Sequence, residues 1–420
     1  MSPRAEALIT QPRSVFQQRL AGNGDPPRIL IVGASTRAAA ESVLRAGGTP
    51  VCADLFADAD LQQIARIVPI HRFPDSLPED VATLQVDGWF YAGGLENAPA
   101  TLERLEQLPG LGTPLGCSSA SVRSVRDPWC LSDALQSAGF PVLELHRESD
   151  APSADGAWIR KPLAGAGGRG VTVWNAESTG FPLVEPHFFQ RRAAGDIASA
   201  VFTISSSGAA GCHGVCQQLI GIHAASAPHP FAWCGGIAPR PISSELSARL
   251  ADLGGLLAGK FGLRGLFGVD LALDRDTFRV LEVNPRYPAS AELFELAHRT
   301  SLLPPITDGD ELSAINSPVS PRCVGKLVLY TPYDVVAPDW SAWARRRSPW
   351  SAAPIRDIPV PGSAIPAGQP VCSLLATGRD GESCQRRLLA RARRWMHRLT
   401  AANFAETGTV PQTAPFLDPF

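Results

Sequence analysis

Lysine is almost missing from this chain of 420 residues: Lys161, Lys260 and Lys326 stand against 35 Arg. Charge is sparse altogether, at 19%, and the 38 Lys and Arg nearly balance the 40 Asp and Glu. A net charge of -2 argues against a broad nucleic-acid or polyanion surface. No apolar run approaches the ~18 residues of a membrane-spanning helix. The first residues, MSPRAEALITQPRSVFQQRLAGNGD, hold neither an apolar core nor a small-residue cleavage site, so no leader is expected. Nine Cys, an odd number without regular spacing, give no disulfide framework and read as reduced thiols of a cytoplasmic protein. What the chain does have is apolar bulk, 45%, too much for disorder. Its length suits two or three domains of about 100–200 residues each. The excess of Arg, Ala, Gly and Pro looks like GC-rich coding, and against that background a Lys inside a motif stands out.

The order of elements is that of an α/β protein. RILIVGAS (28–35) reads as a buried strand, followed by a helix over 36–46 and a second strand at 49–56. Further strands are expected at 67–70 and 88–92, which makes a small parallel unit. After it come a helix at 128–138 and a strand at 141–146. Then follow a strand–loop–strand–loop–strand stretch over 157–189 and strand-like residues at 197–222. A helix at 243–260 carries Leu246, Leu250, Leu253, Leu256 and Leu257 on helical spacing. A hairpin at 266–284, a helix at 289–298, a strand at 326–330, a small β unit at 358–375 and an Arg-rich helix at 380–399 complete the chain. The expected division is a loose tail (1–24), an α/β unit (25–115), a central domain (116–300) with a lid at about 150–190, and a C-terminal domain (301–420).

The segment WIRKPLAGAGGRGVTVW (158–174) places Gly165, Gly167, Gly168 and Gly170 directly after Lys161. Glycines let backbone amides close on phosphate oxygens, and a Lys on the preceding strand adds a point charge. The spacing also matches G-x-G-x-x-G, but VTVW follows where the dinucleotide fingerprint needs a helix. No Lys-Ser or Lys-Thr pair ends the loop, so it is not a Walker motif. It reads as a phosphate-binding turn between antiparallel strands, with a ligand-free glycine hairpin as the plainer alternative.

In GVDLALDRDTFRVLEVNPRYPAS (268–290), period-two alternation puts Glu282 and Asn284 on one face. A register that pairs Asp270 with Glu282 adds a third oxygen ligand to that face. Val269, Leu271, Leu281 and Val283 then occupy the other. Such a set suits Mg²⁺ or Mn²⁺, and buried carboxylates without a cation are costly. Arg286 follows at the strand exit, placed to stabilise a transferred phosphoryl group or a substrate carboxylate. The plainer alternative is a surface hairpin with solvated acids, and turn residues Asp274 and Asp276 are read that way.

Taken together, these motifs resemble the ATP-grasp superfamily: an α/β unit, a Lys-plus-glycine loop, a connecting segment, then D…E-x-N-P-R. The resemblance spans about 28–395. VGASTRAAAESVLRAGGTPVCADLFADADL, YAGGLENAP, FAWCGGIAP and GLFGVDLALD…LEVNPRYPASAE are similar to one branch. That branch is the predicted ATP-dependent carboligases related to biotin carboxylase. The tyramine–glutamate ligases of methanofuran synthesis, and relatives linked to tetrahydromethanopterin, are also similar.

The resemblance implies an ATP-grasp fold with a Rossmann-like N-terminal domain and a small C-terminal domain. It implies a ligase of the EC 6.3 kind that uses ATP and Mg²⁺ (or Mn²⁺) to join a carboxylate to an amine through an acyl phosphate. By position, Glu185, Gln190 and the backbone at Phe188 and Phe189 would meet adenine and ribose. Arg191 stands where the family often has a second acid, and Arg126 where it often has a first phosphate-binding Lys. Lys161 and the four glycines would hold phosphates. Asp270, Glu282 and Asn284 would hold the metal, and Arg286 would face the acyl phosphate. Small-molecule substrates and a possible homodimer are expected, with no nucleic-acid or membrane partner.

Other residues carry weaker signals. Cys212, His213 and Cys216 lack a second pair at zinc spacing, so a metal site is not expected there. His223, His229 and FAWCGG (231–236) are candidate pocket borders. Ser35, Arg37, Glu96 and Asn97 follow strand ends, where α/β sheets often bind ligands. Arg345–Arg347 and the Arg-rich helix read as solvated faces. Two other functions compete with the ligase reading: a bicarbonate-using carboxylase subunit, which would need a separate biotin carrier, and a nucleotide-binding protein without chemistry.

Overall fold

The computed structural model describes residues 25–178, 186–205, 207–303, 322–345 and 348–407. Strands β1 (Arg28–Gly33), β2 (Thr49–Asp54), β3 (Arg66–Val68), β4 (Gly88–Tyr91) and β5 (Thr113–Pro114) form a parallel sheet in the order β3-β2-β1-β4-β5. The apolar run in β1 needs cover on both faces. Leu30 and Val32 enter one core cluster, while Ile29 and Ile31 enter another. The helix Arg37–Arg45 makes the first crossover. Two helices absent from the sequence reading, Pro99–Glu106 and Ser119–Val125, follow. They are short and mostly small or polar, so periodicity carries little signal.

A four-stranded antiparallel sheet comes next: β6 (Leu145–Arg147), β7 (Asp155–Pro162), β8 (Thr172–Asn175) and β9 (His187–Arg191), in the order β6-β9-β7-β8. The strand expected at 141–146 is thus confined to three residues beginning at Leu145. The third sheet is the largest. It contains β10 (Asp196–Ile204), β11 (Ala210–Ile220), β12 (Trp233–Arg240), β13 (Gly265–Asp274), β14 (Thr277–Asn284) and β15 (Cys323–Tyr330). A two-stranded ladder of β16 (Val335–Val336) and β18 (Ala364–Ile365) stands apart, whereas β17 (Ile355–Arg356) and β19 (Pro370–Gly378) join the large sheet. Its order is β14-β13-β10-β11-β12-β15-β19-β17.

The helix Ser244–Phe261 covers one face of this sheet. Ser243 Oγ caps it by accepting from Leu246 N (3.1 Å), and Gly262 ends it at φ +64°. Leu246, Leu250, Leu253 and Leu257 are buried with Phe202 and Phe267, whose rings stack at 5.2 Å. The helices Ala291–His298 and Gly381–Thr407 complete the cover. Between the first sheet, the helix Ala291–His298 and the C-terminal strands lies a buried ionic network. Arg37 contacts Glu41, Glu292 and Asp357, and Lys326 contacts Glu292 (3.0 Å) and Asp357 (3.5 Å). No helix among the described residues is long and apolar enough to cross a membrane.

Candidate active site

The β13–β14 hairpin pairs Asp270 with Glu282 and Gly268 with Asn284, as the period-two reading required. Between Asp270 and Leu271 the register slips, so Leu271 faces Val280. This bulge corrects one expectation. Val269, Leu271 and Val283 are buried in the core, but Leu281 is turned to the cavity side. Its carbonyl accepts from Lys161 Nζ and from Gln190 Nε2, each at 3.4 Å.

Asp270 is held from two sides. Gln218 Nε2 donates to Oδ1 (2.6 Å) and Asn284 Nδ2 to Oδ2 (3.1 Å). Burial, then the adjacent Glu282 carboxylate, pushes Asp270 up to about 7. Burial also raises Glu282, but Lys161 and Arg126 more than offset it and hold Glu282 below the usual carboxylate range. Lys161 Nζ lies 3.7 Å from Glu282 Oε2 and 3.4 Å from Gln190 Oε1. Two carboxylates and an amide are hard donors that fit a divalent cation such as Mg²⁺. Among the described residues, no group of three or more His, Cys, Asp or Glu side chains forms a metal cage.

Arg286 is held by one partner remote in sequence and one close to it. Its Nε donates to Glu96 Oε1 (2.8 Å), and Nη2 donates to Asn284 Oδ1 (3.3 Å). Gly94 N donates to the other Glu96 oxygen (2.6 Å). Burial would raise Glu96, yet the Arg286 guanidinium holds it below the usual carboxylate range. Arg126 Nη2 donates to Asn97 Oδ1 and to the Gly165 carbonyl, both at 2.9 Å, and so tethers the glycine loop.

That loop joins β7 to β8 and rests on β12. Gly167, Gly168 and Gly170 have positive φ, and a Cβ on Gly168 would stand 1.8 Å from the Phe231 carbonyl oxygen. Trp233 N donates to the Gly167 carbonyl (3.1 Å). The segment 231–236 is therefore a pocket wall as well as the start of a strand.

A family described as "ATP-grasp domain" matches residues 125–290. The chain carries an ATP-grasp domain. Among curated protein sequences, none matches. Solved structures similar over most of the chain share its fold. Biotin carboxylase from Campylobacter jejuni has a TM-score of 0.63 at 13% identity, covering 88% of this chain and 95% of its own. An L-amino acid ligase from Bacillus licheniformis has a TM-score of 0.62 at 15% identity, covering 90% and 98%. N5-carboxyaminoimidazole synthetase from Staphylococcus aureus, solved with ADP, has a TM-score of 0.60 at 14% identity, covering 87% and 97%.

The ATP-grasp domain shares one cavity of about 1360 Å³ with the other layers, larger than a pocket for one small ligand. Lys161, Gly165, Gly167, Gly168, Phe188, Gln190, Asp270, Glu282, Asn284 and Arg286 all line it. Gly170 does not. Phe189 is buried within the four-stranded sheet against Trp174 (5.0 Å), leaving Phe188 as the ring on the cavity side. Glu185 lies outside the described residues, as do Arg346 and Arg347. Arg191 lines the cavity and stacks over Trp158 (5.1 Å).

Ser35 and Glu96 border the cavity, whereas Arg37 does not: its guanidinium is consumed by the buried ionic network. His223 and His229 lie off the cavity wall. His213 bonds Thr203 Oγ1 (2.7 Å) away from it. Gln218, Lys326, Asp357 and the wall at 359–373 were missed by sequence reasoning. None sits in a recognisable motif, and the fold alone brings them to the cavity.

Proposed function

We propose that the protein is an ATP-dependent carboxylate–amine ligase that acts through an acyl phosphate and releases ADP and phosphate. One observation carries this reading. Lys161, the Asp270–Glu282–Asn284 set and the Glu96-anchored Arg286 face a single cavity that has room left for two further reactants. Covalent catalysis by a thiol has no support there, since burial pushes the cavity's Cys216 up to about 12 and Cys372 well above its usual value.

Lys161 and the amides of the glycine loop would bind the ATP phosphates. Asp270, Glu282 and Asn284 would hold Mg²⁺, which when bound neutralises phosphate charge. In the reaction a carboxylate oxygen takes the γ-phosphoryl group. The unprotonated amine nitrogen then attacks the acyl carbon, the new C–N bond replaces the C–O bond, phosphate leaves with the electron pair, and the nitrogen sheds one proton to the departing phosphate or to water. Arg286 is oriented to stabilise the oxygens that gain charge, and its ion pair with Glu96 pre-sets that orientation. The docked glycine loop shields the acyl phosphate from water. Biosynthesis of a methanofuran-type cofactor is proposed from the sequence resemblance alone.

The test is ADP release with Mg·ATP across a matrix of carboxylates and amines, with products read by mass. Glutamate with tyramine is one arm and bicarbonate is a separate one. Turnover that needs both a carboxylate and an amine and yields their condensed product supports the ligase. Turnover dependent on bicarbonate alone overturns it in favour of a carboxylase.

A further inference from the structure

The cavity extends well past Arg286, and its far end has a chemistry of its own. A chain of contacts leads there. Gly93 lies beside the Arg286 guanidinium, its carbonyl accepts from Ala34 N (2.9 Å), and Thr36 Oγ1 donates to Asp54 Oδ2 (2.8 Å). Asp54 Oδ1 in turn accepts from Phe56 N (2.9 Å) and Ala57 N (2.7 Å), which fixes the turn that presents Asp58. A C-terminal loop closes against that turn. Ala59 N donates to the Ile358 carbonyl (2.7 Å), and Ile358 N donates to Asp60 Oδ1 (2.9 Å).

Asp58 lines the cavity and is 8% exposed, yet its carboxylate has no hydrogen-bond or ion-pair partner among the described residues. The nearby cations are committed elsewhere. Arg37 is held by Glu41, Glu292 and Asp357, and Lys326 by Glu292 and Asp357. Burial, then Asp357, Asp60 and Asp54, pushes Asp58 well above the usual carboxylate range, and Arg37 offsets this only in part. Beside it the wall is apolar. Leu55, Phe56 and Val360 are 46%, 48% and 38% exposed, and all three face the cavity. Exposed large apolar side chains gathered around a buried, unpaired carboxylate describe a ligand that is cationic at one end and apolar over the rest.

We propose that this end of the cavity binds the amine substrate, as an organic ammonium whose charged head pairs with Asp58 and whose apolar body lies on Leu55, Phe56 and Val360. The proposal rests on the ligase reading, which it deepens by naming the amine's class. It concerns recognition, so it is tested by binding rather than turnover.

The full chain is titrated by calorimetry with butylamine, hexylamine and 2-phenylethylamine. 2-Phenylethanol serves as the neutral analogue and 3-phenylpropionate as the anionic one. The amines are expected to bind, with affinity rising about two- to fourfold per methylene. The alcohol and the carboxylate are expected to bind at least tenfold more weakly. Asp58→Asn, which keeps the volume and removes the charge, is expected to weaken 2-phenylethylamine at least tenfold without lowering the melting temperature. Leu55→Ser is expected to flatten the dependence on chain length while a preference for amine over alcohol persists. Equal binding of 2-phenylethylamine to wild type and Asp58→Asn overturns the proposal, as does equal binding of amine and alcohol to the wild type. Failure of the ligase reading would show differently, as absence of condensed product from amines that nevertheless bind through Asp58.

Discussion

Replacing Gly168 by Ala isolates the docked state of the glycine loop. Two costs apply. At φ +80° an L-residue carries left-handed strain of roughly 1–2 kcal/mol. The added Cβ would also sit 1.8 Å from the Phe231 carbonyl oxygen, a backbone atom that cannot swing aside. The loop must therefore retreat by about 1 Å, and the Trp233 N to Gly167 O bond goes with it. Losing that bond adds about 1 kcal/mol. A displacement of about 1 Å in a positioning element can cost on the order of 100-fold in rate.

Gly167→Ala is the control, since it shares the positive φ (+61°) but meets nothing within 4 Å. Its cost is the strain alone, at most about thirtyfold in binding. The assay is calorimetric titration with a non-hydrolysable Mg·ATP analogue, alongside thermal melting. Gly168→Ala should bind at least tenfold more weakly than Gly167→Ala, and the two should melt within a few degrees of each other. Equal affinities would refute the claim that docking on Phe231 organises the phosphate site.

Other expectations concern the scaffold. Phe202→Ala removes a fully buried ring stacked on Phe267 and should cost about 3–5 kcal/mol in urea unfolding; a loss under about 1 kcal/mol would mean the core collapses around the gap. Glu292→Gln removes one of the two carboxylates that Arg37 and Lys326 share and should cost about 3–5 kcal/mol, read from the urea midpoint at neutral pH. Arg37 and Lys326 overcome burial to hold Glu292 and Asp357 well below their usual range, so this network's stability is present above the unfolded carboxylate value and is lost as pH falls below it. Burial, then His298, pushes His213 down to about 4, so the folded state keeps the ring neutral where the unfolded chain protonates. Stability should fall as pH drops from about 6.5 toward 4, by up to about 3 kcal/mol, an upper figure because the ring keeps some solvent contact. The urea midpoint of His213→Asn should show that much less dependence on pH between 7.5 and 5.

Local patterns made a large part of the site legible. Lys161 and the glycines stand within ten residues of one another, and Asp270, Glu282 and Asn284 fall on one face through strand alternation and a four-residue turn. The hairpin bulge was not legible, so Leu281 was assigned to the wrong face. Gln218 reaches Asp270 across 52 residues and Glu96 reaches Arg286 across 190, distances at which no sequence pattern says which residues meet. Arg37 was misread for the same reason: a strand-end Arg looks free until Glu292 and Asp357 arrive from the far end of the chain.

By itself, then, the sequence determined the α/β class, the apolar faces of the main strands and helices, and the local motifs of an ATP-grasp domain. Those follow from backbone periodicity and from contacts a few residues long. Only the tertiary structure decided what orients Arg286, what neutralises Arg37 and Lys326, and which carboxylate is left without a partner among the described residues. Those outcomes depend on burial and on charges brought within a few ångströms by packing of the three sheets, and neither quantity is written in any one segment.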